Sequence, residues 1–308
     1  MIAKNSDSSL PEGSKYERLY PQKTPKHPLK RFKKSLSHFL CSLCCIILPP
    51  LYKVLMRVVL ATSKVDNNFE VVFQSGRAQR KLVAAMWHED VFMAPPIFRS
   101  FKPYTLASTA RIGRVVTSIL EAHDFQVFRG GTGHSKSGRR RNDVLRSMIC
   151  FLKREPNAFF GIAVDGTKGP AYKVKPGICK MAQECRVPVF LVHTQAKRAL
   201  KLPTWDRTVI PLPFNQIRTQ LVGPYWICPE SSPTEREIFR QHIEKELVRL
   251  SSHMAAGFNT GSKQQAKPFI PRKLGNMDLQ TDKRPLWAGR KYEKSQTGIL
   301  TEGDGTLS

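Results

Sequence analysis

Between Lys34 and Lys53 the chain carries no charge apart from whatever His38 holds, while the residues on either side are rich in lysine and arginine. This apolar run only just reaches the ~18 to 20 residues that a bilayer-crossing helix needs. Pro49-Pro50 is expected to break it near its end. Lys30, Arg31, Lys33 and Lys34 in front, with Lys53 and Arg57 behind, suit a re-entrant or interfacial anchor on the cytoplasmic side of a membrane. A cleaved signal peptide shows the same basic-then-apolar order, but here it would start late and lack a small-x-small cleavage site. A buried helix of the soluble core is the plainer alternative for a run of this length.

From about residue 68 to 225 the pattern alternates. Short apolar runs rich in Val, Phe and Ile, at 69–73, 82–87, 104–108, 125–128, 159–164 and 187–193, predict strands. Between them, 111–123, 138–155 and 176–185 have helical period. Such alternation predicts an α/β fold with a mostly parallel sheet flanked by helices on both faces. The stretch 231–254 begins with Ser and Pro and has acids early and bases late, which reads as a charged surface helix closing the domain. The organisation expected is a disordered polar tail at 1–26, a basic and apolar membrane-associating segment at 27–65, one α/β domain at 66–256 and a flexible basic tail at 257–308.

Charge narrows the choice of partner. Fifty Lys and Arg against 24 Asp and Glu give a net charge of +26, so the chain seeks polyanions. A polybasic segment beside an apolar one favours an anionic bilayer over nucleic acid, because each base near such a leaflet adds roughly 1 kcal/mol to apolar insertion. No nucleic-acid-binding motif is present, and the aromatic residues do not interleave with the basic ones as stacking platforms. The cysteines at 41, 44, 45, 150, 179, 185 and 228 form no even framework and read as reduced, cytosol-facing thiols. Cys41, Cys44 and Cys45 lie in the apolar run without a second ligand pair, so no metal is expected there.

Three polar features follow predicted strands, at the edge of a parallel sheet where ligands usually bind. They are His88-Glu89-Asp90, Arg129-Gly130-Gly131 and Asp165-Gly166-Thr167-Lys168-Gly169-Pro170. Each alone is compatible with an ordinary turn or a structural residue. No zinc spacing, Walker loop, dinucleotide fingerprint or G-x-S-x-G elbow occurs, which argues against a metal or nucleotide enzyme.

Taken together and in order, Trp87-His88, Ser108, VFRGG at 127–131, DGTKGP at 165–170, PGICKMA at 176–182, VPVF at 187–190 and WDRTVIPLPF at 205–214 resemble the lysophospholipid acyltransferase superfamily. The resemblance covers roughly 70–225 and is nearest to a branch of bacterial acyltransferases with WH and DG-x-x-GP motifs. It implies a membrane-associated transferase of phospholipid biosynthesis, without a cofactor, that takes an acyl group from acyl-CoA or acyl-carrier protein.

In such an enzyme a base of near-neutral pKa must take the proton of the acceptor hydroxyl, and His88 fills that role. Relatives usually place an acid five positions on, where this chain has Met93. Asp90 is the nearest substitute, although at i+2 on a regular helix it faces away from the imidazole. By the same resemblance Arg129 anchors the acceptor's acidic head group, with Gly130 and Gly131 allowing close backbone approach. Asp165, where many relatives carry Glu, accepts from an acceptor hydroxyl, while Gly166, Thr167 and Lys168 hold a phosphate of acceptor or donor. Ser108 and Arg111 at a strand-helix junction offer an N-cap and a second cation. Lys136, Arg139, Arg140 and Arg141 are further candidates for lipid head groups or the acidic carrier protein. An inactive lipid-binding protein of the same fold and a basic nucleic-acid-binding protein are the competing readings.

Overall fold

The computed structural model describes residues 28–74, 81–130 and 139–259. Residues 1–26, the tail beyond Asn259, Gly131 and Lys136 lie outside these, as do the side chains of Arg139, Arg140 and Arg141. In chain order the strands are β1 (Lys64–Asn67), β2 (Lys81–Met86), β3 (Tyr104–Ser108), β4 (Gln126–Gly130), β5 (Ala158–Ala163), β6 (Val189–Ala196), β7 (Ala199–Lys201), β8 (Val209–Pro211) and β9 (Gln216–Tyr225). The helices are α1 (Pro28–Ala61), α2 (Phe69–Gln74), α3 (Ala94–Phe98), α4 (Arg111–Glu121), α5 (Arg139–Arg154), α6 (Gly177–Cys185) and α7 (Pro233–Asn259).

Seven strands form one sheet in the order β1-β9-β6-β2-β5-β3-β4. From β6 to β4 every pairing is parallel; β9 runs antiparallel to β6 and carries β1 beside it. This is the mostly parallel, helix-flanked α/β architecture expected from the alternation. β2 lies centrally, and its unbroken apolar reading suits a strand covered on both faces. Val83, Ala85 and Trp87 face the core against α5, α6 and α7, while Leu82, Ala84 and Met86 face the opposite core, which holds Phe69 and Phe98.

Locally the structure departs from the sequence reading. Residues 69–73 are not a strand but helix α2, because Phe69, Val72 and Phe73 recur at helical spacing and pack on Phe98 and Phe101, with Val71 left outside. The Asn67 side chain accepts the Phe69 N–H at 3.1 Å and opens the turn. Conversely, β9 buries Ile217, Thr219 and Leu221 in strict alternation, yet it is absent from the elements read from the sequence.

Pro49-Pro50 do not end α1, which runs on to Ala61. The two prolines remove the N–H groups that would reach the carbonyls of Cys45 and Ile46. Packing compensates: Cys41, Pro49, Tyr52, Met56 and Val59 form an inward stripe. The Tyr52 hydroxyl donates to the Phe92 carbonyl at 2.5 Å, and Arg111 on α4 donates to Ser37. The remaining faces are exposed and mostly apolar, with Phe39, Leu43, Ile46, Ile47, Leu51 and Val54 all uncovered and Lys53 and Arg57 beside them.

Candidate active site

β2 and β5 pair in parallel from Lys81↔Ala158 to Met86↔Ala163. Carried two residues past both strands, that register sets His88 beside Asp165. The Val164 N–H still bonds the Met86 carbonyl at 2.9 Å, so the ladder holds up to the two side chains. His88 Nδ1 is 2.5 Å from Asp165 Oδ1, and the His88 backbone N–H donates to the same oxygen at 3.1 Å. Asp165 is 1% exposed and His88 16%. The carboxylate thus fixes both the ring and the turn that carries it, and leaves Nε2 as the second ring nitrogen. The Trp205 ring lies 5.1 Å from the imidazole.

His88 lines a cavity of about 620 Å³. Its walls are apolar, with Leu106 and Ile162 from the sheet, Val144, Leu145 and Met148 from α5, and Ile178 and Met181 from α6. Lys168, Lys175, Lys180 and Arg236 add positive charge to the lining. Lys175 donates to the Gly169 carbonyl at 2.7 Å, and so ties the 165–170 loop to the start of α6. Gly169 has φ +63, and a Cβ there would meet the Trp205 ring at 2.6 Å, so the loop closes against the indole only with glycine. Gly166, Thr167 and Lys168 line the cavity as well, as does Gly130, where a Cβ would run into Val144 at 2.5 Å.

Other residues singled out in the sequence go elsewhere. Asp90 does not reach His88. Its Oδ2 lies 2.9 Å from His193 Nδ1 on β6, and both side chains are buried. The reason is geometric: residues 88–90 form one 3-10 turn, whose successive side chains diverge. Met93 at the position of the usual acid is fully buried. Arg129 does not share the cavity either. It is inside β4 rather than past its end, and its guanidinium donates to the Gly113 carbonyl at 3.0 Å and the Thr117 hydroxyl at 2.6 Å, a tether to α4. Strand alternation explains this, since Gly130 faces the cavity and its neighbour the opposite side. Ser108 accepts from the Ala110 N–H at 3.2 Å, a turn before α4 rather than an N-cap within it, and Arg111 serves α1.

Glu89, Asp90 and His193 form a buried cluster behind the His88 turn. The Tyr172 hydroxyl donates to Glu89 at 2.8 Å. Burial, together with the neighbouring Asp90 charge, raises the Glu89 pKa. Burial also raises Asp90, against the opposing pull of His193. For His193 burial works the other way, but the charge and hydrogen bond of Asp90, with the Glu89 charge, leave it above the ordinary histidine value. Lys175, Arg236 and His193 are not legible in the sequence as neighbours of the site, because they stand outside the quoted site motifs and arrive from elements that only the fold brings together; Lys180 lies in PGICKMA but has no distinguishing mark there.

No family model matches the chain. It is 27% identical over 234 residues to an uncharacterized protein, RP090, of Rickettsia prowazekii (strain Madrid E), a match that takes in 73% of this chain and 98% of that protein. The crystal structure of the 1-acyl-sn-glycerophosphate (LPA) acyltransferase PlsC from Thermotoga maritima is similar at a TM-score of 0.41 and 18% identity, over 73% of this chain and 84% of that one.

Proposed function

We propose that the chain is a membrane-surface O-acyltransferase that moves a fatty acyl group from the thioester of acyl-CoA or acyl-carrier protein to a hydroxyl of a lysophospholipid or related lipid. The observation that carries this reading is the His88–Asp165 pair, with His88 in the wall of an apolar cavity that has a cationic lining. Amphiphiles with an acidic head group match that combination of surfaces. The sequence motifs that resemble lysophospholipid acyltransferases supply the same residues.

The reaction follows from the pair. His88 Nε2 takes the proton of the acceptor hydroxyl as its oxygen bonds the thioester carbonyl carbon. Asp165 holds the Nδ1 proton and stabilises the imidazolium that forms, without itself being protonated. When the C–S bond breaks, the sulfur leaves as thiolate and takes the proton back from Nε2, so the enzyme is regenerated with no acyl-enzyme intermediate. Lys168 is the cation of the 165–170 loop assigned to a phosphate of acceptor or donor, with Thr167 beside it. Asp165 is reassigned from acceptor binding to orienting His88, and the acid missing at 93 is supplied by this second strand end.

Membrane association rests on α1. Its segment Ser37–Ala61 is long and apolar enough to cross a bilayer, with 22% of its most apolar window buried. The inward stripe docked on the domain favours a helix lying in the interface, its outer faces in lipid and Lys53 and Arg57 near anionic head groups. The cytoplasmic face is where both acyl donors occur.

The direct test is transfer of labelled acyl chains from acyl-CoA and from acyl-carrier protein to lysophosphatidic acid and other lysolipids in vesicles, with products identified by mass spectrometry. Labelled diacyl product from the wild type is expected; its absence with every donor and acceptor would remove the proposal. Leu106, which is only partly covered and lines the cavity, gives a finer test. Leu106→Trp narrows the space without overpacking a closed core, and is expected to lower kcat/KM for long-chain donors about tenfold while short-chain donors stay within about twofold, as a lost apolar contact of ~1.4 kcal/mol would.

A further inference from the structure

The WDRTVIPLPF stretch is not absorbed by the chemistry of His88, beyond the Trp205 ring contact, and its placement is unusual for a soluble surface. β7 and β8 form a two-stranded antiparallel ribbon outside the main sheet. Leu200, Leu202, Trp205 and Phe214 on or beside it are all exposed. Phe214 is 73% exposed and has φ +56, a left-handed conformation that it shares with Lys102, Asp124, Tyr172, Arg186 and Arg207 and that Gly or Asn adopts more readily. Lys197, Arg198, Lys201 and Arg207 are exposed along the same segment, whose acid, Asp206, accepts from the Thr208 hydroxyl.

The base of this ribbon is stapled to the end of α1. The Phe214 N–H donates to the Thr62 hydroxyl at 3.1 Å, the Asn215 N–H to the Ser63 hydroxyl at 3.1 Å, and the Lys64 N–H to the Asn215 carbonyl at 2.8 Å. Two elements with uncovered apolar side chains and basic neighbours are therefore joined by hydrogen bonds, and one of them lies on the imidazole through Trp205.

We infer that the β7–β8 ribbon is a second membrane-contact element, in which Leu200, Leu202, Trp205 and Phe214 enter an anionic bilayer while the surrounding Lys and Arg side chains meet its head groups. Aromatic and aliphatic side chains ringed by bases partition this way. The inference rests on the membrane-surface reading above and deepens it: α1 holds the protein on the bilayer, and the ribbon, through the Trp205 contact with His88, keeps the catalytic pair close to the lipid plane from which a lysolipid would come.

The test uses the full chain and vesicles of phosphatidylethanolamine and phosphatidylglycerol whose phosphatidylglycerol chains carry bromine, a short-range quencher of tryptophan emission. Wild type is expected to float with the vesicles and lose emission, and Trp205→Phe to remove most of that loss. Phe214→Asn is expected to melt no lower than wild type, because Asn accepts a left-handed φ, and yet to partition about tenfold more weakly, as loss of one inserted aromatic side chain implies. In the same variant acyl transfer to detergent-dispersed acceptor stays at the wild-type level while transfer in vesicles falls. Flotation with unquenched Trp205, or unchanged partitioning of Phe214→Asn, would overturn the ribbon's contact and leave α1 as the anchor. Failure of the wild type to float would overturn this inference and the membrane reading, but not the acyl-transfer chemistry, which the detergent assay reports separately.

Discussion

Asp165→Asn is expected to reduce kcat for acyl transfer about a thousandfold with little change in KM, and His88→Ala to reduce it at least as far. The carboxylate accepts from His88 Nδ1 and from the backbone N–H of the same residue. An asparagine keeps the shape but can turn its NH2 toward Nδ1, which drives the ring proton onto Nε2. That nitrogen then has no lone pair for the acceptor hydroxyl. The binding surfaces are untouched, so the loss falls on kcat. Because the two side chains act as a unit, the double variant is expected to be no slower than His88→Ala alone. Steady-state kinetics of the four proteins decide it; near wild-type turnover in Asp165→Asn would show that something other than Asp165 orients the base.

The buried cluster behind the turn should show itself in stability. His193→Gln leaves Asp90 buried without its imidazole partner and is expected to cost about 3–5 kcal/mol, the range for breaking a buried charged pair. The sign of its pH dependence follows from the direction of the shifts. Burial raises the pKa of Asp90 and of Glu89, while Asp90 and Glu89 together outweigh burial to raise His193, so this cluster holds more protons in the folded chain than in the unfolded one. The His193 contribution is complete below its unfolded value of about 6.5 and is lost as pH rises through the raised folded value. Denaturant melts are therefore expected to show the stability advantage of wild type over His193→Gln shrinking from pH 6 toward pH 8, while the opposite contribution of His123, whose pKa burial lowers, is common to both proteins and cancels. A wild-type advantage that grows over that interval would contradict the assignment.

These two pairs share a turn, and that has a consequence for how the site is held. His88 looks to β5 and Asp90 to β6, so the 3-10 turn is hydrogen-bonded to the strands on both sides of β2. Breaking the Asp90–His193 contact is accordingly expected to affect catalysis as well, though less than loss of Asp165, because the Asp165 bond to the His88 N–H remains.

Much of the frame is written in the order of residues. The β2, β3, β4, β5 and β6 strands and the α4, α5, α6 and α7 helices follow from apolar runs and helical period, because central parallel strands and helix faces bury side chains in patterns that are local in sequence. The short α2 reads as a strand because five apolar-rich residues fit a strand or a helix equally well until Phe98 and Phe101 supply a surface on one side. His88, Gly130, Gly166, Thr167 and Lys168 each stand just past a predicted strand in the sequence, and in the structure all five line one cavity. Arg129 was not separable from Gly130 by sequence, since adjacent residues of a strand point to opposite faces and only the packing of α4 says which face is which.

What the sequence determined by itself, then, is the alternation that makes a mostly parallel sheet, the basic charge beside an apolar run, and the position of His88 just past a strand end. Which acid serves that histidine was decided only in three dimensions. Asp165 is seventy-seven residues from His88, the same offset that pairs Lys81 with Ala158 along β2 and β5, and strand register is a property of which strands become neighbours. Asp90, two residues away, was closer along the chain but turned toward β6, because hydrogen bonds form across the sheet edge and take no account of distance along the backbone.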